Sequence, residues 1–349
     1  MSTQRFFVGS YTSPLPHAPH ANGQGIYRLT LDTETGQLSS PALVAELEQP
    51  SFARVHDSVL YAVSEIDDGQ LSAYRMEADG RLALLGRRSS EGQSPVDAAI
   101  SAQFALCVNY SSGAALTAFA LAVDGNLEDV AAKAFHQGHG PNAQRQDGPH
   151  PHSVTLSPDC QFAHVADLGI DEVVIYDLAP DTLLERLGQV SLPPGSGPRS
   201  LAFEPSGAFA FLSLELADGL ALLRRDAGSG ELAFLNIWPT TPADFKGDNA
   251  PSAVRVSADG RFVYVANRGH DSVAVFGFDA ATASLSTLQH APTLGHTPRG
   301  LTLSLDGAWL LAPNQDSSSI TVFRRDVETG QLQPAGTFPC PTPTSLCFG

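Results

Sequence analysis

Five charged or titratable residues occupy matched positions in an internal repeat, and their types suit anion binding and proton transfer. His152, Arg199 and Arg299 each directly follow a proline, whereas Glu215 and Arg268 follow or end apolar runs in neighbouring copies. Charged residues seldom occur at such positions unless they are paired or functional. The pattern therefore predicts an acid–base site that binds an anion; ion pairs that only hold the repeats together are the alternative interpretation.

The repeat that must position these residues is a strand–turn–strand unit. Three of its copies read SFARVHDSVLYAVSEIDDGQLSAYRM, SAVRVSADGRFVYVANRGHDSVAVFGF and GLTLSLDGAWLLAPNQDSSSITVFRRD. The unit recurs every 45 to 56 residues, which suits the four short strands of a propeller blade. The last copy, PTSLCF, is incomplete and would complete the N-terminal unit. We predict one all-β domain over residues 1–349, a seven-bladed β-propeller of four-stranded antiparallel blades closed by the C-terminal strand.

Equivalent positions in such a repeat form rings around the central channel. The first ring follows the proline-like position and consists of Ser51, Val96, His152, Arg199, Ser252, Arg299 and Thr344. The second ring is the last residue of the second strand and consists of Tyr11, Glu65, Tyr110, Leu168, Glu215, Arg268 and Gln315. Both rings place charges in the same half of the channel, which favours a site there.

Composition limits the partners of this chain. The 349 residues carry a net charge of −17, which argues against nucleic-acid and acidic-membrane surfaces. An anionic small molecule would need a local cluster of Arg or His. The N-terminus lacks the features of a signal peptide, and Cys107, Cys160, Cys340 and Cys347 match no zinc spacing. We expect a cytoplasmic protein with reduced thiols; the oligomeric state is left open.

Two metal sites are conceivable and neither is favoured. The insertion before the fourth copy contains His136, His139, His150 and His152, but no third zinc ligand with suitable spacing accompanies them. A row of Asn and Asp precedes the second ring and suggests a calcium site, yet such residues at strand ends usually bond backbone groups of the next turn. We expect no metal and no cofactor, and an insertion that folds over the channel mouth.

Several segments resemble a known family. They are RQDGPHPHSVTLSPD, FAHVADLGIDEVVIYDL, GPRSLAFEPSGAFAFLSLE, VRVSADGRFVYVANRGHDSVAVF and TPRGLTLSLDGAWLLAPNQDSSSITVF. They resemble the bacterial lactonases of the seven-bladed 6-phosphogluconolactonase type, which are related to carboxy-cis,cis-muconate cyclases, and the likeness spans nearly the whole chain. The resemblance implies hydrolysis of an anionic sugar lactone, foremost 6-phosphogluconolactone, in the pentose phosphate pathway. It also implies catalytic roles for His152, Arg199, Glu215 and Arg268.

These residue types fit hydrolysis without a metal, because a ring ester is already reactive. Either Glu215 or His152 would take a proton from water, while Arg199 and Arg268 stabilise the oxyanion. Forked donors make Arg145 and Arg299 candidates for binding a phosphate or carboxylate. The remaining predicted substrate-binding residues are His150, His270 and Gln315.

Three departures from the family pattern bear on substrate choice: Val96, Gln103 and Leu214. Two other functions therefore stay open. One is a lactone-forming or lactone-opening isomerase that acts on a dicarboxylate, since carboxylate and phosphate both attract Arg. The other is a non-catalytic propeller that binds proteins, although the Gly-His and Trp-Asp marks of that repeat class are absent.

Overall fold

The chain forms seven four-stranded antiparallel sheets arranged as the blades of a propeller. We describe it from a computed structural model that covers residues 3–349; Met1 and Ser2 of the predicted domain lie outside the described residues. Alternating apolar residues dominate the strands, so each sheet buries both faces against its neighbours. The prediction of a seven-bladed all-β fold is confirmed.

Blade 1 begins with three N-terminal strands, and each later blade takes four consecutive strands. The first three strands are β1 (Thr3–Ser10), β2 (Gly25–Asp32) and β3 (Ala42–Glu46). Blade 2 consists of β4 (Ala53–His56), β5 (Val59–Ser64), β6 (Gln70–Met76) and β7 (Leu82–Ser89). Blade 3 consists of β8 (Pro95–Ile100), β9 (Phe104–Asn109), β10 (Leu116–Leu121) and β11 (Leu127–Ala134). Blade 4 consists of β12 (Pro151–Leu156), β13 (Phe162–Asp167), β14 (Glu172–Asp177) and β15 (Arg186–Ser191).

The remaining blades repeat this plan. Blade 5 consists of β16 (Pro198–Phe203), β17 (Phe209–Leu214), β18 (Gly219–Arg225) and β19 (Leu232–Pro239). Blade 6 consists of β20 (Ala250–Val256), β21 (Phe262–Arg268), β22 (Ser272–Asp279) and β23 (Ser284–Pro292). Blade 7 consists of β24 (Thr302–Leu303), β25 (Trp309–Asn314), β26 (Ser319–Arg325) and β27 (Leu332–Pro339). A 3-10 turn spans Pro180–Thr182, and among residues 3–349 no helix is long and apolar enough to cross a membrane.

The last strand closes the ring. β28 (Pro343–Phe348) pairs with β1 and becomes the innermost strand of blade 1, with Leu346 opposite Val8. Leu346 is buried in an apolar cluster that also contains Phe6 and Leu311, so the C-terminal strand joins blade 1 to blade 7. The predicted composite blade is confirmed.

The core lies mainly between adjacent blades. Seven apolar clusters fill the molecule, and one of them packs Phe211 of blade 5 against Val265 and Phe276 of blade 6. The inner strands of the blades meet around the axis and leave a channel of 490 Å³. This packing fixes the inner strands, which carry the first ring of predicted site residues.

Two kinds of loop define the two faces of the propeller. The insertion side carries the turns between second and third strands and the connections from each blade to the next; the opposite side carries the other turns. Ser-x-Asp-x turns on the opposite side use the Ser157 hydroxyl and Asp159 carboxylate as partners, and Ser257 with Asp259 repeats this. Cys160 has φ 55° where blade 6 has Gly260 at 73°, so Cys160 replaces the glycine of this turn.

Candidate active site

Bulges in the inner strands place the first ring. The pairing of β12 with β13 shifts between Pro151 and Ser153, which leaves His152 outside the ladder. The pairing of β16 with β17 likewise shifts after Pro198, and Arg199 lies in that irregular stretch. Proline has no N–H to give to a ladder, and a bulge re-aims the extra side chain. The proline-plus-one position therefore turns its side chain toward the channel, where both residues line the cavity.

Glu215 is the centre of a buried charge cluster. It directly follows β17, and its backbone N–H donates to the Gly197 carbonyl oxygen at 2.8 Å. Its Oε2 lies 2.9 Å from Arg199 Nε and 2.6 Å from Arg268 Nη2. Its Oε1 accepts a hydrogen bond from Arg145 Nη2 at 2.5 Å. The structure thus brings together three of the predicted arginines around one carboxylate that is 4 % exposed.

The electrostatics of this cluster keep the carboxylate ionised. Burial alone would raise the pKa of Glu215, but Arg268, Arg199, His152 and Arg145 together lower this pKa well below its usual value. Burial and the adjacent Arg268 lower the pKa of Arg199 to about 9. Three guanidinium groups against one carboxylate leave an excess of two positive charges, so the cluster can accept an anionic ligand.

His152 lies beside this cluster as a neutral imidazole. Burial and the nearby Arg199 lower the pKa of His152 well below its usual value. Its ring meets the Tyr110 ring edge to face, with centroids 5.5 Å apart. Within residues 3–349 no other side chain forms a hydrogen bond with the imidazole. The ring has a hydrogen bond to its own backbone and lines the channel, where a ligand or water can reach it.

A second cluster occupies blades 1, 2 and 7. Tyr11 donates its hydroxyl hydrogen to Glu65 Oε2 at 2.9 Å, and the Arg299 guanidinium lies 5.3 Å from the Tyr11 ring centre. His17 Nε2 is 3.0 Å from the Tyr11 hydroxyl and 3.7 Å from Glu65 Oε1. Burial raises the pKa of Glu65, against the lowering effect of Arg299. Glu65 was not among the predicted site residues although it belongs to the second ring; His17 lies in a loop with no repeat signal.

The insertion reaches the site, as predicted. Arg145 contacts Glu215 as described, and its Nη2 lies 3.4 Å from the Tyr110 hydroxyl. His150 stacks on Tyr110 with ring centroids 4.7 Å apart and places Nδ1 2.9 Å from the Tyr110 carbonyl oxygen. His150 Nε2 lies 3.0 Å from Asp147 Oδ1. The insertion therefore forms part of the wall above His152.

Buried hydrogen bonds fix the course of the insertion. His136 Nδ1 lies 2.6 Å from Asp167 Oδ2, and its Nε2 lies 2.8 Å from the Tyr176 hydroxyl. The other oxygen of Asp167 accepts the His150 backbone N–H at 2.7 Å. Gln146 donates to Asp171 Oδ1 at 2.8 Å. These contacts anchor both ends of the segment that carries Arg145.

Two predicted substrate-binding residues have other neighbours. His270 places Nδ1 2.7 Å from Ser272 Oγ, and the Phe245 and His290 rings lie against it. Gln315 donates to the His17 carbonyl oxygen at 2.7 Å and is 1 % exposed. His270 therefore lies apart from the Glu215 contacts, whereas Gln315 supports the loop that carries His17.

The polar row that resembled a calcium site bonds to backbone. Asn109 Nδ2 donates to the Ser90 and Ala114 carbonyl oxygens, and Asn267 Nδ2 donates to that of Thr240. Asn314 Nδ2 donates to the Thr293 carbonyl oxygen. These residues thus satisfy backbone groups, but only Ala114 belongs to the following turn. The other acceptors lie in the connection from the preceding blade, which the sequence did not predict. Across residues 3–349 no three His, Cys, Asp or Glu side chains are grouped to hold a metal ion, and all four cysteines are free thiols.

Comparison with known proteins gives consistent matches over nearly the entire chain. Residues 5–348 match the family model described as "Lactonase, 7-bladed beta-propeller". The 6-phosphogluconolactonase of Bacillus subtilis is 35% identical over 299 residues, which cover 84% of this chain and 83% of that protein.

Two solved structures are similar throughout. A Lactobacillus plantarum protein has a TM-score of 0.92 at 32% identity, with 99% of each chain covered. The periplasmic gluconolactonase PpgL of Pseudomonas aeruginosa has a TM-score of 0.90 at 30% identity, also with 99% of each chain covered. Since a periplasmic protein is among these neighbours, the cytoplasmic location stays a prediction.

Proposed function

We propose, since this chain belongs to the lactonase family of seven-bladed β-propellers, that it hydrolyses an anionic sugar lactone, with 6-phosphogluconolactone as the first candidate. The observation that carries the proposal is the cluster of three guanidinium groups on Glu215 beside the neutral His152. Both gluconolactonase and 6-phosphogluconolactonase occur among the relatives. The positive excess at the cluster favours the phosphorylated substrate of the two.

The sequence left two candidates for the general base, Glu215 and His152. His152 is the better of the two. Glu215 has a pKa well below its usual value and gives both oxygens to guanidinium groups, so it is a poor proton acceptor. His152 is neutral and faces the cavity. In this mechanism His152 takes a proton from the attacking water, while Glu215 holds the arginines in place.

The arginines supply the charge for the two anionic parts of the reaction. Arg199 and Arg268 are fixed by Glu215, and a fixed donor aimed at a developing oxyanion contributes on the order of 3–4 kcal/mol. Arg145 donates to Glu215 through Nη2, and its side chain is 42% exposed. Its other guanidinium N–H groups remain available for the substrate phosphate. Arg299 lines the channel from blade 7, in the same cavity as Arg199 and His152.

Glu65 is the candidate proton donor for the leaving ring oxygen. Its pKa is raised by burial, whereas that of Glu215 is lowered by its arginines. A proton donor needs a raised pKa and a base needs a lowered one, and Glu65 and His152 are shifted in these opposite directions. Glu65 lines the cavity on the side of Arg299 and bonds to Tyr11. The ring C–O bond breaks as Glu65 protonates its oxygen, and water supplies the new carboxyl oxygen.

The test is hydrolysis of 6-phosphogluconolactone, gluconolactone and a muconolactone, each with the spontaneous rate subtracted. We expect the phosphorylated lactone to give the highest kcat/KM. Arg145→Gln should raise KM for that substrate more than for gluconolactone, and His139→Gln, in the exposed loop, should change neither. Treatment with a chelator should leave the rate unchanged.

Three results would contradict parts of this proposal. If both sugar lactones hydrolyse only at the spontaneous rate in the presence of the protein, the lactonase function is refuted. Preference for the muconolactone would assign the scaffold to the dicarboxylate isomerase. Activity that is lost in a chelator and restored by calcium or zinc would refute the metal-free mechanism.

A further inference from the structure

A second pair of arginines lines the channel on the side away from the insertion. Arg54 lies on β4 of blade 2 and Arg255 lies on β20 of blade 6, and both line the 490 Å³ cavity. Each lies three residues after a first-ring position, namely Ser51 and Ser252. The inner strands run toward the opposite face, so these side chains form a deeper layer of the same channel.

The donors of this pair are largely unused. Arg54 Nε is buried and lacks a hydrogen-bond partner. Arg255 Nη1 donates to the carbonyl oxygen of its own neighbour Val254 at 2.8 Å. Within residues 3–349, no carboxylate lies within 4.0 Å of either guanidinium group. A buried donor without a partner is costly unless a ligand or water satisfies it.

The one carboxylate of this layer is already committed. Asp97 Oδ1 accepts the Ala98 backbone N–H at 2.8 Å, and Oδ2 accepts that of Val154 at 3.1 Å. It thereby ties blade 3 to blade 4. Burial and, to a lesser extent, the nearby Arg54 lower the pKa of Arg255 to about 10, while Asp97 acts in the opposite direction.

The cavity is large enough for a ligand and reaches the surface. Its volume of 490 Å³ far exceeds the roughly 30 Å³ that one water molecule occupies. Leu305 lines its outer end and is 76% exposed, so an ion can enter from the face opposite the insertion. A local positive layer inside a chain with a net charge of −17 concentrates anions at that place.

We propose that Arg54 and Arg255 form a second anion-binding site, distinct from the Glu215 cluster, for a small oxyanion such as inorganic phosphate or a phosphate monoester. Two forked guanidinium groups suit the oxygens of phosphate. The Asp97 carboxylate offsets part of their charge, so the layer carries a smaller positive excess than two. Arg54 and Arg255 share the cavity with His152 but lie deeper in it. Within residues 3–349 neither arginine forms a hydrogen bond or ion pair with the His152 or Glu215 side chain. The bound anion would satisfy the buried Arg54 Nε and reduce the repulsion within the pair.

The test is titration calorimetry with inorganic phosphate in a chloride-poor buffer, on the wild type and on the double variant Arg54→Gln with Arg255→Gln. We expect the double variant to lose one binding step, with affinity reduced about tenfold or more. Arg261→Gln is the matched control, because this arginine lies at the same face but pairs with Asp259 outside the channel. Phosphate should also raise Tm in the wild type and in Arg261→Gln more than in the double variant.

Two further variants distinguish the sites and protect the test against misfolding. Arg145→Gln alters the upper cluster and should keep the binding step that depends on Arg54 and Arg255. If the glutamine double variant does not fold, the variant with lysine at both positions should bind phosphate more weakly than the wild type, since lysine lacks the fork. Unchanged binding in the folded double variant, or binding abolished by Arg145→Gln instead, would overturn the proposal. Failure of lactone hydrolysis would leave this result unaffected, because it is read from binding alone.

Discussion

Arg268 Nη2 lies 2.6 Å from Glu215 Oε2, although the two residues belong to different blades. Glu215 is buried and Arg268 is largely buried. Arg199 and Arg145 contact the same carboxylate. Arg268 Nε also donates to the Ala250 carbonyl oxygen at 3.1 Å. The contact therefore links blade 5, blade 6 and the insertion through one side chain.

Glu215→Gln should destabilise the protein and reduce turnover. An amide cannot balance three guanidinium groups, and breaking a buried pair costs about 3–5 kcal/mol. Urea unfolding and steady-state kinetics measure the two effects. Glu172→Gln is the control, because its pair with Arg186 at 3.3 Å is more exposed and contributes about 1 kcal/mol or less. An equal loss of stability in both variants would show that the Glu215 cluster contributes no more to folding than an exposed ion pair.

The acid limb of the pH–rate profile should lie below pH 6.5, the usual pKa of histidine. His152 has a lowered pKa, so it is a neutral base near pH 7 and loses activity only as pH falls through that pKa. In the unfolded chain His152 has its usual, higher pKa and therefore takes up a proton first. The contribution of His152 to folding stability is lost as pH falls from about 6.5 toward the lowered pKa of the folded state.

Arg199→Gln tests the cause of this shift. Removing the cation should raise the pKa of His152 and move the acid limb to higher pH, whatever the loss in maximal rate. Arg186→Gln, at the surface, should leave the limb in place. A limb that is unmoved in Arg199→Gln would exclude His152 as its source.

Glu65→Gln should abolish the basic limb of the same profile. Glu65 would act in its protonated form, so activity falls as pH rises through its raised pKa, and loss of an acid costs about 10²-fold in kcat. Tyr11→Phe removes a hydrogen bond that favours the ionised form, so it should move this limb to higher pH. A basic limb that survives in Glu65→Gln would assign the proton to another group.

Leu346→Ala should weaken the closure of the ring. Leu346 is 5% exposed between blades 1 and 7, and truncating a buried leucine costs about 2–5 kcal/mol. Leu305→Ala at an exposed position should cost about 0.5 kcal/mol or less. Thermal and urea unfolding provide the comparison; similar losses in both variants would mean that the C-terminal strand contributes little to closure.

Cys160→Gly should stabilise the protein by about 1 kcal/mol, because a left-handed backbone is costly for a residue with a Cβ. Gly307→Ala is the matched reverse change: it has φ 68° and no neighbouring atom closer than 3.6 Å to an added Cβ. That variant should lose a similar amount of stability in urea unfolding. A neutral Cys160→Gly variant would indicate that the turn tolerates the side chain without strain.

The repeat in the sequence determined the blade number, the composite blade and the rings that face the channel. Strand alternation has a fixed period of two, so matched positions in successive copies face the same way. His152, Arg199, Glu215 and Arg268 could therefore be assigned to one half of the channel from spacing alone. Glu65 was also in a ring, but its partner Tyr11 belongs to a blade that the chain starts and ends, and the pairing was not anticipated.

Only the tertiary structure decided which charges touch and which stay apart. Arg145 reaches Glu215 because buried contacts of His136 and Gln146 direct the insertion, and no repeat period describes such a loop. His270 turns to Ser272 and Phe245 instead, although its motif resembles the family's. The unpaired Arg54 and Arg255 are evident only when the inner strands surround one cavity. Periodicity fixes the face of a strand, whereas distances between side chains depend on non-local packing.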